Sequence, residues 1–351
     1  MSIFLERGGF YRTFTLVHRI HTYLTPPGQL VQMKLLVELS GEHPSLPFAE
    51  LDCIGRVIAA GQQVAVLECP DPTLTRRLSL THAVLEYIGE CRAGKDEVAE
   101  LLTDLSLSTE GTFAVRVRKV FGNKMEASSK ELEALIGAHV TGNVSLSHPG
   151  TVFRLIVSGD RCYFGRLLFP VDRGSFELRN PGKREFFHPG VMMPRIARAL
   201  VNIACVRPGE VMLDPFCGTG GMLIEARLVG AVAIGSDMDF FMVSGSRRNL
   251  TSADLLLADA ASLPLRDESV DAVVTDMPYG QSVSILGESM ECLYLDVLGE
   301  IRRVLKPGRR AVLVTHRDIS PLVEGYLKIE QFHEQRVHKS LTRRILVLKK
   351  T

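Results

Sequence analysis

The residues best suited to chemistry begin with Asp214-Pro215-Phe216-Cys217-Gly218-Thr219-Gly220-Gly221, which joins a short apolar run to an amphipathic one. Glycines in such a turn let the backbone approach a ligand and adopt dihedrals closed to other residues. A phosphate-cradling loop would need Gly-Lys-Ser/Thr, and Gly220-Gly221-Met222 has neither the lysine nor the hydroxyl. A dinucleotide loop would need a third glycine, and Leu223 stands there instead. A carboxylate at the strand end disfavours an anion and suits a cation, and S-adenosylmethionine carries both an ammonium and a sulfonium. Asp237 closes the next strand, where an acid takes the two hydroxyls of a ribose. Asp259, in Leu257-Ala258-Asp259-Ala260, closes the third and is placed to meet an adenine amino group. A single acid at a strand end carries little information; three at successive strand ends point to one nucleoside site.

The fourth strand ends in Asp276-Met277-Pro278-Tyr279-Gly280. An exocyclic amine on a nucleobase is a weak nucleophile because its lone pair is delocalised into the ring. Hydrogen bonds from the NH₂ to the Asp276 carboxylate and to a carbonyl of the turn would localise that pair and aim it at a methyl donor. Tyr279 would stack on the extruded base, a contact worth roughly 1–3 kcal/mol, against an unstacking cost of a few kcal/mol. Taken alone, the same five residues also read as a surface turn with a buried tyrosine.

The elements that must position these residues follow from periodicity. Beyond residue 186, strands at 211–214, 231–235, 255–258, 271–275 and 311–315 alternate with helices at 192–204, 221–229, 239–249 and 289–305, which implies a doubly wound, mostly parallel α/β sheet. The runs 328–334 and 343–349 have no helix between them and imply an antiparallel pair at one edge. Before the linker, strands at 34–39, 64–68, 113–118 and 152–158 and helices near 46–60, 79–90, 96–105 and 128–138 give an α+β pattern of split βαβ units. The expected domains are an arm at 1–32, whose start is open because Met33 would open a domain naturally, an α+β ferredoxin-like module at 33–90, a second α+β module at 91–170, a linker at 171–186, and the α/β domain at 187–351.

Composition narrows the class. The 351 residues are 46 % apolar and 23 % charged, which excludes a disordered chain. The 41 basic and 40 acidic residues exclude a polybasic protein, while Arg116 and Arg118, alternating with Val115 and Val117, project from one face of a strand as candidate phosphate contacts. Seven widely spaced cysteines form no Cys-x-x-Cys pair and read as reduced thiols, with no metal site. No apolar run is long enough for a membrane span, and the first thirty residues lack the apolar core of a secretory signal, so the expected location is the cytoplasm.

The loop Asp214–Gly221 with Asp276-Met277-Pro278-Tyr279-Gly280 resembles the class I amino-methyltransferases that carry an Asp/Asn-Pro-Pro-Tyr motif. Lys183-Arg184-Glu185-Phe186-Phe187-His188-Pro189-Gly190, then Pro194–Asn202, Arg302–Gly308 and the tail Val337–Arg343, narrow the resemblance to THUMP-domain tRNA guanine-N2 methyltransferases of the archaeal type acting on guanosine 10. It is specific over roughly 183–351; the THUMP assignment of 91–170 rests on order and length. The family usually has proline where this chain has Met277, which implies a retained site with altered backbone rigidity. The resemblance implies a Rossmann-like catalytic domain and S-adenosyl-L-methionine as cofactor, leaving S-adenosyl-L-homocysteine. It implies cofactor contacts at Asp214, Phe216, Gly218, Gly220, Asp237, Met238, Asp259, Ala260 and His188, and a base site at Asp276, Pro278 and Tyr279. RNA contacts are expected at Arg116, Arg118, Lys119, Lys183, Arg184 and Arg343. The expected protein is a monomer that binds tRNA, with a small activating partner subunit left open. It would methylate N2 of a flipped guanosine to N2-methyl- or N2,N2-dimethylguanosine. Two alternatives stay open: an adenine-N6 or cytosine-N4 methyltransferase on RNA or DNA, and a catalytically silent tRNA-binding protein.

Overall fold

In the computed structural model, residues 33–250, 252–279, 290–339 and 341–351 are described. The expected arm at 1–32 and Gly280 of the fourth strand-end motif lie outside them. Among the described residues no helix is long and apolar enough to cross a membrane.

The C-terminal half is built on seven strands: β9 (Val211–Asp214), β10 (Val232–Asp237), β11 (Asp254–Leu257), β12 (Val270–Asp276), β13 (Leu305–Thr315), β14 (Lys328–His338) and β15 (Leu341–Lys349). Their order is β11-β10-β9-β12-β13-β15-β14. The first five are mutually parallel, and β15 enters antiparallel between β13 and β14. All seven strands expected in this half are present. The near-continuous burial of Val270–Thr275 and Ala311–Thr315 is what a central strand covered on both faces requires. The parallel arrangement sends Asp214, Asp237 and Asp276 to the same sheet edge. Helices α5 (Pro194–Ile203), α6 (Gly221–Leu228), α7 (Phe240–Asn249) and α8 (Met290–Val304) make the connections or lead into the first strand.

The N-terminal half is one eight-stranded sheet: β1 (Met33–Leu39), β2 (Arg56–Gly61), β3 (Val64–Cys69), β4 (Thr81–Arg92), β5 (Leu107–Lys119), β6 (Val140–Val144), β7 (Thr151–Ser158) and β8 (Arg161–Pro170), in the order β2-β3-β1-β4-β8-β7-β5-β6. Helices α1 (Leu46–Leu51), α2 (Lys95–Thr103) and α3 (Ser129–Ala138) accompany it. Three expectations change here. The helix expected at 79–90 is strand β4: Leu80, Val84 and Tyr87 imitate a helical face, but pairing with β1 on one side and β8 on the other wins. The helix expected over 46–60 stops at Leu51 and yields to β2. Gly55 sits where a side chain would stand 2.2 Å from the Glu68 carbonyl, so only glycine lets the two strands close. The boundary expected at 90/91 falls inside β4, so 33–90 and 91–170 share one sheet.

The linker expected at 171–186 is packed structure that includes a short helix, α4 (Gly174–Glu177). Phe176 is buried beneath Arg179 and Arg198, with guanidinium carbons 4.6 and 5.8 Å from its ring centre, and Arg179 donates to Glu225 at 2.8 Å.

Leu46, Ala49 and Leu80 of the N-terminal half share one apolar core with Leu200, Ile203 and Met212 of the C-terminal half. Beside it the fully buried Glu50 accepts from Ser79 N–H and hydroxyl (2.8 Å each), Leu80 N–H (2.9 Å) and Asn202 Nδ2 (2.7 Å). Arg77 donates to Asn202 Oδ1 at 2.6 Å. This network, with an Arg198–Glu225 ion pair at 2.8 Å, explains why α5 buries Arg198 and Asn202 on the face opposite its apolar stripe. Glu50→Ala strands these donors in the interior and is expected to cost about 2–4 kcal/mol, read from urea unfolding.

Candidate active site

Strand β9 ends in Asp214, which is 2 % exposed. Its Oδ1 accepts from Thr275 Oγ1 (2.7 Å) and Phe216 N–H (3.2 Å), and burial pushes its carboxyl up to about 7 despite these bonds, with the charges of Asp237 and Asp276 adding to the rise. The following turn uses left-handed backbone at Gly218 (φ +48°) and Gly220 (φ +79°). At Gly220 a side chain would also strike Leu250, 2.8 Å away. Asp237, closing β10, accepts Gly218 N–H at Oδ2 and Asp239 N–H at Oδ1, both at 3.0 Å, and burial again raises its carboxyl. The loop and the second acid are thus joined by a hydrogen bond. Met238, Phe240 and Phe241 follow with 66, 70 and 61 % exposure, an apolar surface beside the acid. Asp259 is exposed past the end of β11 and accepts Ala261 N–H at 2.9 Å; Ala260 is buried. Cys217 is buried against Gly235, and burial drives its thiol upward, away from nucleophilic character.

At the next strand end, Tyr279 donates its hydroxyl to Asp276 Oδ1 at 2.6 Å. Burial pushes the Asp276 carboxyl up to about 6, with the tyrosine hydroxyl and the Arg343 charge pulling the other way. Pro278 offers its carbonyl to Tyr294 of α8, whose hydroxyl donates at 2.7 Å. Met277 is 1 % exposed in the core with Tyr294, Val297 and Ile319, and its N–H donates to Val314 at 2.9 Å. A proline there has no such donor. The altered rigidity expected from Met277 is therefore one more bond to β13.

Other expected residues lie elsewhere than anticipated. Arg343 is 7 % exposed with Nη2 4.0 Å from Asp276 Oδ2, inside the site rather than on an RNA-facing surface. Arg184 places both Nη atoms in the interior beside Gly221, where among the described residues they have no hydrogen-bond partner, and so presents no surface charge. In the N-terminal sheet Arg118 pairs with Glu38 and donates to Gln63 (2.7 Å). Arg116 donates to the Leu146 carbonyl (2.6 Å) and Lys119 to the Met125 carbonyl (3.0 Å). The basic strand is therefore engaged within its own fold instead of standing free for phosphates. Lys183 is exposed, as is His188, whose Nδ1 lies 3.0 Å from the Pro189 carbonyl.

Two neighbours escaped the sequence reading. The His316 ring lies 5.0 Å from that of Tyr279 at 48°, with Nδ1 buried and unpartnered among the described residues; burial lowers its basicity. It directly follows β13, so extending the search for strand-end residues to the fifth strand would have found it. Tyr294 sits among helix-core residues and gave no such signal.

Comparisons place the chain among known proteins. Residues 181–345 match a family described as RMKL-like, methyltransferase domain. A tRNA (guanine(10)-N2)-dimethyltransferase of Methanothermobacter thermautotrophicus is 39 % identical over 340 residues, covering 91 % of this chain and all of that one. Its counterpart in Methanocaldococcus jannaschii is 30 % identical, covering 89 % and 98 %. The crystal structure of TrmN from Thermus thermophilus covers 91 % of this chain and all of its own at 22 % identity with a TM-score of 0.51, a likeness of fold.

Because the folded-state carboxyl of Asp214 sits above its ordinary 3.8, its ionisation erodes stability as pH rises from about 4 to about 7. Asp214→Asn keeps an acceptor for Thr275 and Phe216 and removes the charge. Its unfolding free energy, read from urea titration, should exceed that of the parent at pH 8, by at most ~4 kcal/mol, with the gain vanishing near pH 4.

Proposed function

The chain belongs to the tRNA (guanine(10)-N2)-dimethyltransferase family, and from that premise we propose that Asp276 and Tyr279 present the N2 amine of a flipped guanosine in tRNA for methylation. The reaction is S-adenosylmethionine-dependent methylation of guanine N2 in tRNA. The observation that carries the residue assignment is the Asp276–Tyr279 pair at the same sheet edge as the Asp214 loop.

The residues around the loop fit the donor. Asp214 would face its positive charge, Asp237 its ribose hydroxyls and Asp259 its adenine amine. Phe216, Met238 and Ala260 would flank the nucleoside. Thr219 is 4 % exposed with its hydroxyl unpartnered among the described residues, and the unpartnered Arg184 Nη groups beside the N-terminus of α6 suit an α-carboxylate. When bound, S-adenosylmethionine supplies an electrophilic methyl group on a sulfonium.

The work of this chain is to orient the acceptor and handle its proton. Tyr279 occupies Asp276 Oδ1, which directs an incoming N2–H to Oδ2. That hydrogen bond localises the nitrogen lone pair, and the carboxylate receives the N2 proton as the new bond forms. A carboxyl near 6 is a far better proton acceptor than an ordinary one and is still ionised at neutral pH. Tyr279, with His316 against its ring, would offer the face on which the base stacks. Cys217 and metal ligands have no part in this scheme.

The N-terminal sheet we read as a THUMP-type RNA-binding half. Its RNA contacts would come from the β5–α3 connection, where Phe121 is 92 % exposed on a turn with Lys124, rather than from the internally engaged Arg116 and Arg118. The protein would act in the cytoplasm.

With labelled donor and unmodified tRNA, digestion should yield N2-methylguanosine or N2,N2-dimethylguanosine; N6-methyladenosine, N4-methylcytidine or no transfer would overturn the reading. Asp276→Ala should lower transfer by about 100-fold or more while S-adenosylhomocysteine binding, measured by calorimetry, stays unchanged. In the parent, kcat/KM should fall below about pH 6 as Asp276 protonates, and Asp276→Asn should retain a slow rate without that acid limb.

A further inference from the structure

Strand β15 carries two consecutive arginines with different fates. Arg344 donates to the His316 carbonyl (2.6 Å) and pairs with Glu334 (3.0 Å). Arg343, pointing to the other face of the sheet, is 7 % exposed, and among the described residues Asp276 is the one carboxylate within 4.0 Å of it. Its Nε is buried and unpartnered among those residues. A guanidinium so enclosed is costly to keep without a role, and a backbone phosphate has little access to it.

We propose that Arg343 is the positioning residue of the base site: it holds Asp276 as a carboxylate while leaving Oδ2 open to the guanine amine. The proposal rests on the methyl-transfer reading above.

The distances carry it. Tyr279 uses up Oδ1 at 2.6 Å. Arg343 faces Oδ2 at 4.0 Å, too far for a hydrogen bond and near enough for its charge to favour the ionised form. A closer arginine would consume the lone pairs that the base needs. The Tyr279 hydroxyl favours the carboxylate from Oδ1, and the remaining groups around Asp276 do not replace Arg343 at Oδ2. Thr275 Oγ1 is committed to Asp214, whose carboxyl the Asp276 charge helps to raise. Tyr294 from α8 donates to the Pro278 carbonyl. His316, after β13, has its basicity lowered by burial, and Arg317 beside it is exposed.

The test compares Arg343→Met and Arg343→Lys with the parent by three measurements: the pH profile of kcat/KM, the salt dependence of tRNA affinity, and ¹³C-carboxyl titration of aspartate-labelled protein without tRNA. The Asp276 signal is assigned by its loss in Asp276→Asn. The Met variant should move both the acid limb and the Asp276 titration upward by about one pH unit or more, about a fivefold or greater loss of rate at pH 6. The Lys variant should restore most of the shift, and the salt slope should stay unchanged. An unmoved carboxyl titration would overturn the proposal. So would a salt slope shallower by about one phosphate contact, which would make Arg343 an RNA-backbone residue. Should the Met variant not fold, Arg343→Gln supplies the neutral side chain. Because the titration needs neither tRNA nor turnover, it judges Arg343 even if the guanine acceptor proves wrong.

Discussion

A carboxyl buried at the end of β9 is the constraint around which the C-terminal half is arranged. Asp214 is 2 % exposed, and two hydrogen bonds fall short of offsetting its desolvation. A parallel sheet makes the strain collective, because every strand delivers its last residue to the same edge and Asp237 and Asp276 arrive there too. An edge of this kind favours a cationic ligand by electrostatics alone. Burial likewise sets the basicity of Asp276, and its charge adds to the rise at Asp214, so the two strand ends are coupled by field as well as by adjacency.

The second requirement is that a loop-borne site be held still. Asn249 does much of this: its amide bonds the Phe186 carbonyl (2.8 Å) and the Thr219 carbonyl (2.9 Å), while its Oδ1 accepts the Phe186 N–H (2.9 Å). The lead-in segment and the glycine-rich turn are thereby fixed to α7. The Glu50–Asn202–Arg77 network does the corresponding work between halves, so the N-terminal sheet is bonded directly to the helix that leads into β9. Buried polar networks of this kind specify one arrangement more than they add stability.

Much of this was legible in the residues. All seven strands of the C-terminal sheet were: β9, β10 and β12 are apolar runs ending in acids, and β14 and β15 follow β13 with only a one-turn helix before them. The placing of Asp214, Asp237 and Asp276 at strand ends was legible for the same reason. What stayed hidden was set by long-range pairing. Thr81–Arg92 has helical spacing and becomes a strand only because β1 and β8 flank it. Arg118 looks like a phosphate ligand until Glu38, eighty residues earlier in the chain, is brought beside it. Arg343 read as part of a basic tail, and only the antiparallel insertion of β15 turns it inward. Charge along a chain says which residues can bind; only the fold decides whether they are already bound.

Strand β4 reaches through the middle of the N-terminal sheet, hydrogen-bonded to β1 on one side and β8 on the other. For protein engineering this defines the smallest transplantable cassette. A chimaera that exchanges only residues 91–170 would cut a central strand and expose two raw sheet edges, an invitation to aggregation. Exchange of the N-terminal half between such enzymes must carry the whole of 33–170, which includes Glu50 and Arg77, the residues by which it plugs into α5.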